Sequence, residues 1–233
     1  ARAFNRMSER IMEMLSAREQ LLLDVSHELR SPLTRMRVAL EFIPEDASRE
    51  SLLDDVQEME QMVTEILETA RLKSEYGQLN LQKTDLVKLI RDICITFEGQ
   101  IPGIRFENVP ETFQTFVDTE QIETVLKNLL DNALKYSTVG NAPVEICLKK
   151  SDAGTLIEIQ DRGPGIQDEE LDLIFEPFYR TDKSRNRKTG GYGLGLSLCK
   201  TIIEAHGGTI DVQSNTGKGT MFSLHLPKST STI

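Results

Sequence analysis

Apolar residues spaced by threes and fours run through the first 70 residues, and this rhythm constrains the fold more than any other feature. Phe4, Met7, Ile11, Met14, Leu21 and Val25 fall on one stripe, with Arg18 as its weak point. Val25, Leu29 and Leu33 then step by four and four, before Met36, Leu40 and Ile43 restore the alternation. Successive fours are a stutter, which locally unwinds a supercoil. The run Pro44 to Glu50 (PEDASRE) reads as a turn with cap residues, and Leu52, Val56, Met59, Val63, Ile66 and Ala70 stripe a second helix. Two such segments predict a helical hairpin. One hairpin buries its stripe poorly, whereas two make a four-helix bundle, so a homodimer is the economical arrangement.

Beyond a polar stretch from Gly77 to Lys83, which reads as a linker, the pattern changes. Helices are predicted over Asp85 to Phe97, Ile122 to Tyr136 and Leu194 to His206. Short strands are predicted at Ile104 to Phe106 and Phe116-Val117, and longer ones at Val144 to Leu148, Thr155 to Gln160, Thr209 to Gln213 and Met221 to Leu226. The fold class expected is therefore multidomain: an all-α hairpin followed by an α/β sandwich of mainly antiparallel strands with helices over one face.

Composition narrows the partners. Hydrophobic residues make up 39% and charged residues 27% of the 233, as in a soluble globular protein. The net charge of −10 argues against nucleic acid or an anionic membrane surface, both of which need a basic face. Cys94, Cys147 and Cys199 are scattered through apolar runs without metal-type spacing and read as core thiols of a reducing compartment. No apolar run approaches the ~18 residues that span a bilayer. The chain starts in mid-helix pattern without an initiator Met, so a fragment of a longer protein is expected.

Several motifs carry chemistry. In DVSHELRSPL (Asp24 to Leu33) an imidazole, a carboxylate and a hydroxyl share an outward helix face, because His27 lies two residues from Val25 and Ser31 four residues from His27. A solvated polar face has the same composition. Pro32 sets this stretch apart, since a proline inside a helix removes a backbone hydrogen bond at a cost of ~3 kcal/mol. With the stutter, it marks a place built to bend. In NLLDNALKYS, Asn128, Asn132 and Lys135 share a face opposite Val125, Leu129 and Ala133. Two carboxamides and an ammonium there suit a hydrated Mg²⁺ and phosphates, or equally a surface helix end. DRGPGI (Asp161 to Ile166) follows a strand and sets one acceptor at the mouth of a glycine turn. GGYGLGL (Gly190 to Leu196) runs a glycine-rich loop into a helix, a geometry that offers free N–H groups to phosphate, although it is neither a Walker loop nor a dinucleotide fingerprint.

The order of these motifs is more telling than any one of them. H-E-L-R-S-P, N-x-x-x-N-A-x-K-Y, D-x-G-x-G, F-x-x-F-Y-R and G-x-G-L-G-L together resemble the class I sensor histidine kinases over nearly the whole chain. The second half is similar to the ATP-binding fold shared with gyrase, Hsp90 and MutL. The wording HELRSPLTR most resembles the CpxA-type envelope-stress sensors, and FNRMSERI (Phe4 to Ile11) is similar to the end of a HAMP signalling module.

The resemblance implies a domain plan: residues 1–15 as the end of a HAMP-like helix, 16–76 for dimerisation and histidine phosphotransfer, 77–83 as linker and 84–233 for ATP binding. It implies His27 as the phosphoacceptor, with Glu28 holding the proton on its second ring nitrogen. Asn132 would hold Mg²⁺ with Asn128 beside it, and Lys135 and Tyr136 would line the ATP site. Asp161 would accept from the adenine amino group, with Gly163 and Gly165 giving it room. Arg180 would reach the γ-phosphoryl group. Gly191, Gly193 and Gly195 would anchor a lid, roughly Tyr179 to Gly190, docked through Phe175 and Phe178. Ser31 stands where the family's phosphatase motif has Thr or Asn, and Tyr192 where Thr or a small residue is commoner. The implied partners are a second copy of the chain and a response-regulator receiver domain. The implied location is the cytoplasmic side of a bacterial inner-membrane receptor, with membrane contact only through a preceding segment.

Overall fold

The structure is a computed structural model that describes residues 2–72, 79–137, 142–151, 154–180 and 192–228. It divides near residue 77 into two compact units.

In the first unit, α1 (Arg2–Glu41) and α2 (Ala47–Leu72) form the expected hairpin. The turn is shorter than the cap residues suggested, because α2 already starts at Ala47. Asp46 explains that start: its Oδ1 accepts the Arg49 N–H at 2.7 Å, satisfying one of the free donors of the first turn. Arg49 Nε in turn donates to the Leu40 carbonyl at 2.7 Å and fastens the end of α1. Leu33, Leu40 and Val56 are buried, with Leu53 and Val63 packed against them. The rest of the stripe is open in the single chain, with Val25, Leu29, Met36 and Met59 all between 41% and 50% exposed. Helix α1 continues through Pro32 without a break.

The second unit begins with β1 (Leu81–Asp85), which corrects the linker reading of 77–83. Its polar sequence LQKTD hides a strand because only Thr84 is buried. β1 pairs antiparallel with β3 (Gln114–Asp118) in a two-stranded sheet. Helix α3 (Leu86–Ile95) and β2 (Ile104–Glu107) lie between them in sequence. Helix α4 (Thr119–Tyr136), β4 (Val144–Lys150), β5 (Gly154–Gln160), α5 (Gly195–Ala205), β6 (Thr209–Asn215) and β7 (Gly219–Pro227) complete the unit. The larger sheet has the order β2-β4-β5-β7-β6, antiparallel except for the parallel β2–β4 pair.

Alternation along the strands builds the core. Val144, Ile146 and Leu148 of β4 and Ile157 and Ile159 of β5 point to one face and are fully or almost fully buried. Ile122, Leu126, Leu129 and Leu130 of α4 and Leu198 and Ile202 of α5 close over that face. Side chains of Asp85 and Asp118 cap α3 and α4. Cys199 is buried among these residues, and partial burial pushes the Cys94 thiol up to about 11, in keeping with unreactive core thiols.

Candidate functional site

Strand β5 ends at Gln160 and delivers Asp161, 6% exposed, to the edge of the α/β unit. Asp161 Oδ1 accepts two backbone N–H groups, from Gly163 at 2.7 Å and Thr220 at 3.2 Å. Its Oδ2 takes no hydrogen bond from another described residue. Burial raises the Asp161 carboxyl above the usual carboxylate range, against the two backbone donors and the Arg162 charge. The result is a recessed acceptor held in one orientation with one oxygen to spare.

Close backbone approach explains the turn that follows. A Cβ on Gly163 would come within 2.6 Å of the Tyr136 carbonyl oxygen, so the end of α4 and the Asp161 turn meet only because residue 163 has no side chain. Gly165, with φ +74°, lies similarly against the Asn215 carbonyl. The β6–β7 hairpin clasps the turn from the other side. Gly217 N donates to the Pro164 carbonyl, and Ile166 N to Ser214 Oγ at 2.8 Å. Thr220 and Ser214 were not singled out from sequence, since their contact with the Asp161 turn is some 50 residues distant along the chain. Their only signal is the pair of glycines in GKGT, Gly217 and Gly219, flanking a strand start.

Helix α4 supplies the carboxamide face. Asn128 Nδ2 donates to the Thr124 carbonyl at 3.0 Å, while its Oδ1 lies where a Cβ on Gly195 would approach to 2.6 Å. Asn128 therefore props the first residue of α5. Asn132, one turn on, is half-buried and makes no side-chain hydrogen bond with another described residue. Its oxygen fits the modest protein share that a hydrated Mg²⁺ takes. Lys135 Nζ lies 5.6 Å from the centroid of the Tyr136 ring, which is 41% exposed. Among the described residues no cluster of His, Cys, Asp and Glu could hold a metal ion.

The glycine-rich loop meets the F-x-x-F-Y-R segment. Gly193, at φ +73°, lies against the Tyr179 carbonyl, and its own carbonyl accepts the Phe178 N–H at 2.9 Å. Phe178 has a left-handed φ of +66° and is 61% exposed, so it is no core aromatic. Phe175 is half-buried edge-on to Phe222 at 6.4 Å. Arg180 is half-buried beside this contact in sequence. Gly191 and residues 181–190 of the expected lid lie outside the described residues.

On the hairpin, His27 lies within α1, and its side chain is outside the described residues. Glu28 and Ser31 are exposed, as the helical spacing predicts. Ser31 Oγ accepts from Arg35 at 2.8 Å, and Asp24 accepts from Gln20 at 2.9 Å. The structure thus brings Asp161, Gly163, Gly165, Tyr136 and the α4 face together, and sets Gly193 and Gly195 at their side.

Comparison with known proteins agrees with both halves. Residues 17–75 match the family described as His Kinase A (phospho-acceptor) domain. Residues 117–230 match the family of histidine kinase-, DNA gyrase B- and HSP90-like ATPases. The sensor protein RstB of Escherichia coli is 35% identical over 97% of this chain and 52% of its own length. Full-length ShkA, solved in complex with AMPPNP, superimposes with a TM-score of 0.74 at 26% identity, over 91% of this chain and 46% of that one. The mycobacterial sensor histidine kinase MprB is 30% identical over 63% of this chain and 97% of that one, with a TM-score of 0.55. The chain spans about half the length of RstB and of ShkA. These relatives do not carry the narrower likeness to CpxA-type sensors. With a phosphoacceptor hairpin followed by an ATPase-type α/β unit, the chain belongs to the sensor histidine kinases.

Proposed function

We propose that this chain is the catalytic part of a dimeric kinase that phosphorylates His27 from ATP and passes the phosphoryl group to an aspartate of a response-regulator receiver domain. The observation that carries it is the Asp161 carboxylate, with Oδ1 doubly bonded to backbone and Oδ2 left for an amino donor such as that of adenine. Gly163 and Gly165 keep the space in front of it free of side chains. Lys135 and Tyr136 line the nucleotide, and Arg180 and the loop of Gly191, Gly193 and Gly195 close on the phosphates. Asn132, with Asn128 beside it, would hold Mg²⁺, which when bound neutralises phosphate charge.

One ring nitrogen of His27 attacks the γ-phosphorus, and the bond to the ADP oxygen breaks. Glu28 holds the proton on the other nitrogen and offsets the positive charge that develops on the ring. In a separate hydrolytic reaction Ser31 orients a water whose oxygen bonds to phosphorus as the aspartyl O–P bond breaks, returning the regulator's carboxylate and inorganic phosphate. The Ser31 oxygen is the acceptor from Arg35, so its own hydrogen stays available. The exposed Val25, Leu29, Met36 and Met59 are the surface a second hairpin would cover. The HAMP-like reading of residues 1–15 supports a membrane receptor as the whole protein. No helix among the described residues is itself long and apolar enough to cross a membrane.

Incubation with γ-labelled ATP and Mg²⁺ tests the reading. The expected product is protein-bound label that is stable in alkali, labile in acid and absent from His27→Gln, with nucleotide affinity of that variant unchanged. ATP turnover without label would instead indicate a clamp-type ATPase, and binding alone a nucleotide-binding signalling dimer.

A further inference from the structure

Helices α4 and α5 run antiparallel and touch at three levels. At the nucleotide end Asn128 lies against Gly195. Midway, the Cys199 thiol faces the Val125 carbonyl at 3.8 Å. At the far end the Asp118 N–H donates to His206 Nε2 at 3.1 Å, and His206 Nδ1 lies 2.8 Å from the Ile202 carbonyl. A carbonyl can only accept, so Nδ1 carries the proton and Nε2 is the acceptor that the Asp118 N–H requires. The geometry admits one neutral tautomer of His206.

Asp118 is also the cap of α4. Its Oδ1 accepts the Gln121 N–H at 3.2 Å and its Oδ2 the Asn80 N–H at 2.9 Å. One residue, 7% exposed, thus joins the start of α4, the end of α5 and the chain arriving at β1.

We propose that His206 is a positioning residue for nucleotide binding: with Asp118 it pins the far ends of α4 and α5, and so sets the spacing between the Asn132 face and the glycine loop that opens α5. The proposal rests on the nucleotide reading of Asp161 and Asn132. A protonated His206 donates at both nitrogens and loses the Asp118 bond. Burial pushes its pKa below the usual histidine range, against the Ile202 carbonyl and the Asp118 carboxylate. Asp118, at the end of β3 and the cap of α4, is the charged group acting on it, and Glu204 on its own helix is exposed. The pin therefore holds at neutral pH and releases on acidification below that range.

The test titrates Mg·ATP into the whole chain and compares the wild type with His206→Ala, His206→Gln and Asp161→Asn. His206→Ala should weaken binding about fivefold, the worth of roughly one buried hydrogen bond. The rate at saturating ATP should fall less. His206→Gln can present an acceptor oxygen where Nε2 stands and should bind within about twofold of wild type, again on the scale of a fraction of a hydrogen bond. As pH falls below the ordinary histidine range, the wild type should lose affinity relative to His206→Gln. Taking the difference at each pH cancels the titration of ATP and of every group the two chains share.

An alanine variant that melts earlier but binds as tightly as wild type would overturn the proposal, as would a glutamine variant as weak as the alanine one. If His206→Ala does not fold, parallel pH profiles for wild type and His206→Gln would overturn it. Asp161→Asn keeps the two readings apart. Wild-type affinity in that variant removes the nucleotide reading beneath the proposal, whereas weakening in Asp161→Asn alone removes only the pin.

Discussion

The two units bury themselves to very different degrees. In the hairpin the buried cluster is Leu33, Leu40 and Val56, and the stripe on either side of it is open. In the α/β unit Leu126, Leu129, Leu130, Ile146, Ile157 and Ile202 are fully buried under one sheet. A sheet covered by helices can close its own core, whereas two helices cannot enclose a stripe as wide as theirs. The stability of the α/β unit is therefore internal to the chain, whereas that of the hairpin would depend on protein concentration if, as proposed, a second copy covers its stripe.

The largest effect that would break this contrast is a core truncation. Leu129→Ala should cost about 2–5 kcal/mol, the usual range for a leucine lost from a packed core. It should act equally at all protein concentrations in a denaturant titration. A cost near zero would mean that the α/β core is not the self-sufficient one.

Asp161→Asn should have a smaller and two-sided effect. If Asp161 holds the nucleotide as proposed, the variant should lose a charge-assisted hydrogen bond, about 1.5–3 kcal/mol or roughly ten- to a hundredfold in affinity. Without nucleotide the sign reverses. Burial raises the carboxyl, so its protonated form favours the folded chain at low pH, and that favour is lost as pH rises through the folded value. At neutral pH the charged group opposes folding, and the neutral amide should raise the melting temperature. An unchanged melting temperature would show that Gly163 and Thr220 already offset the burial.

Leu29→Ala sharpens the other side of the comparison. Leu29 is 44% exposed in the single chain, where such a change is worth within about 0.5 kcal/mol. If a second hairpin covers it, the loss should start near that figure in dilute protein and grow beyond it as protein concentration rises. Sedimentation at several concentrations distinguishes the two outcomes.

Periodicity made most of the fold legible, because Leu33, Leu40 and Val56 or Ile157 and Ile159 advertise their burial by spacing alone. Strand β1 escaped because a two-stranded ladder with one buried residue leaves LQKTD almost wholly polar. The Asp161 turn was legible because an aspartate and two glycines stand together within five residues, although the carbonyls that exclude side chains there, of Tyr136 and Asn215, are distant in sequence. Thr220, Ser214 and His206 were not, since each meets its partner 48 to 88 residues away: the Thr220 N–H donates to the Asp161 carboxylate, and Ser214 and His206 accept from distant backbone N–H groups. The left-handed Phe178 is likewise imposed by its bond to Gly193 and not by its own preference.

Pro32 has one more consequence. It lacks an N–H, so the Glu28 carbonyl one turn earlier has no intrahelical donor, although α1 continues past it. Glu28 is exposed, so that oxygen is open to solvent in place of the missing rung. Local opening there breaks one fewer bond, so amide protons in this turn should exchange with solvent sooner than those a turn or two away.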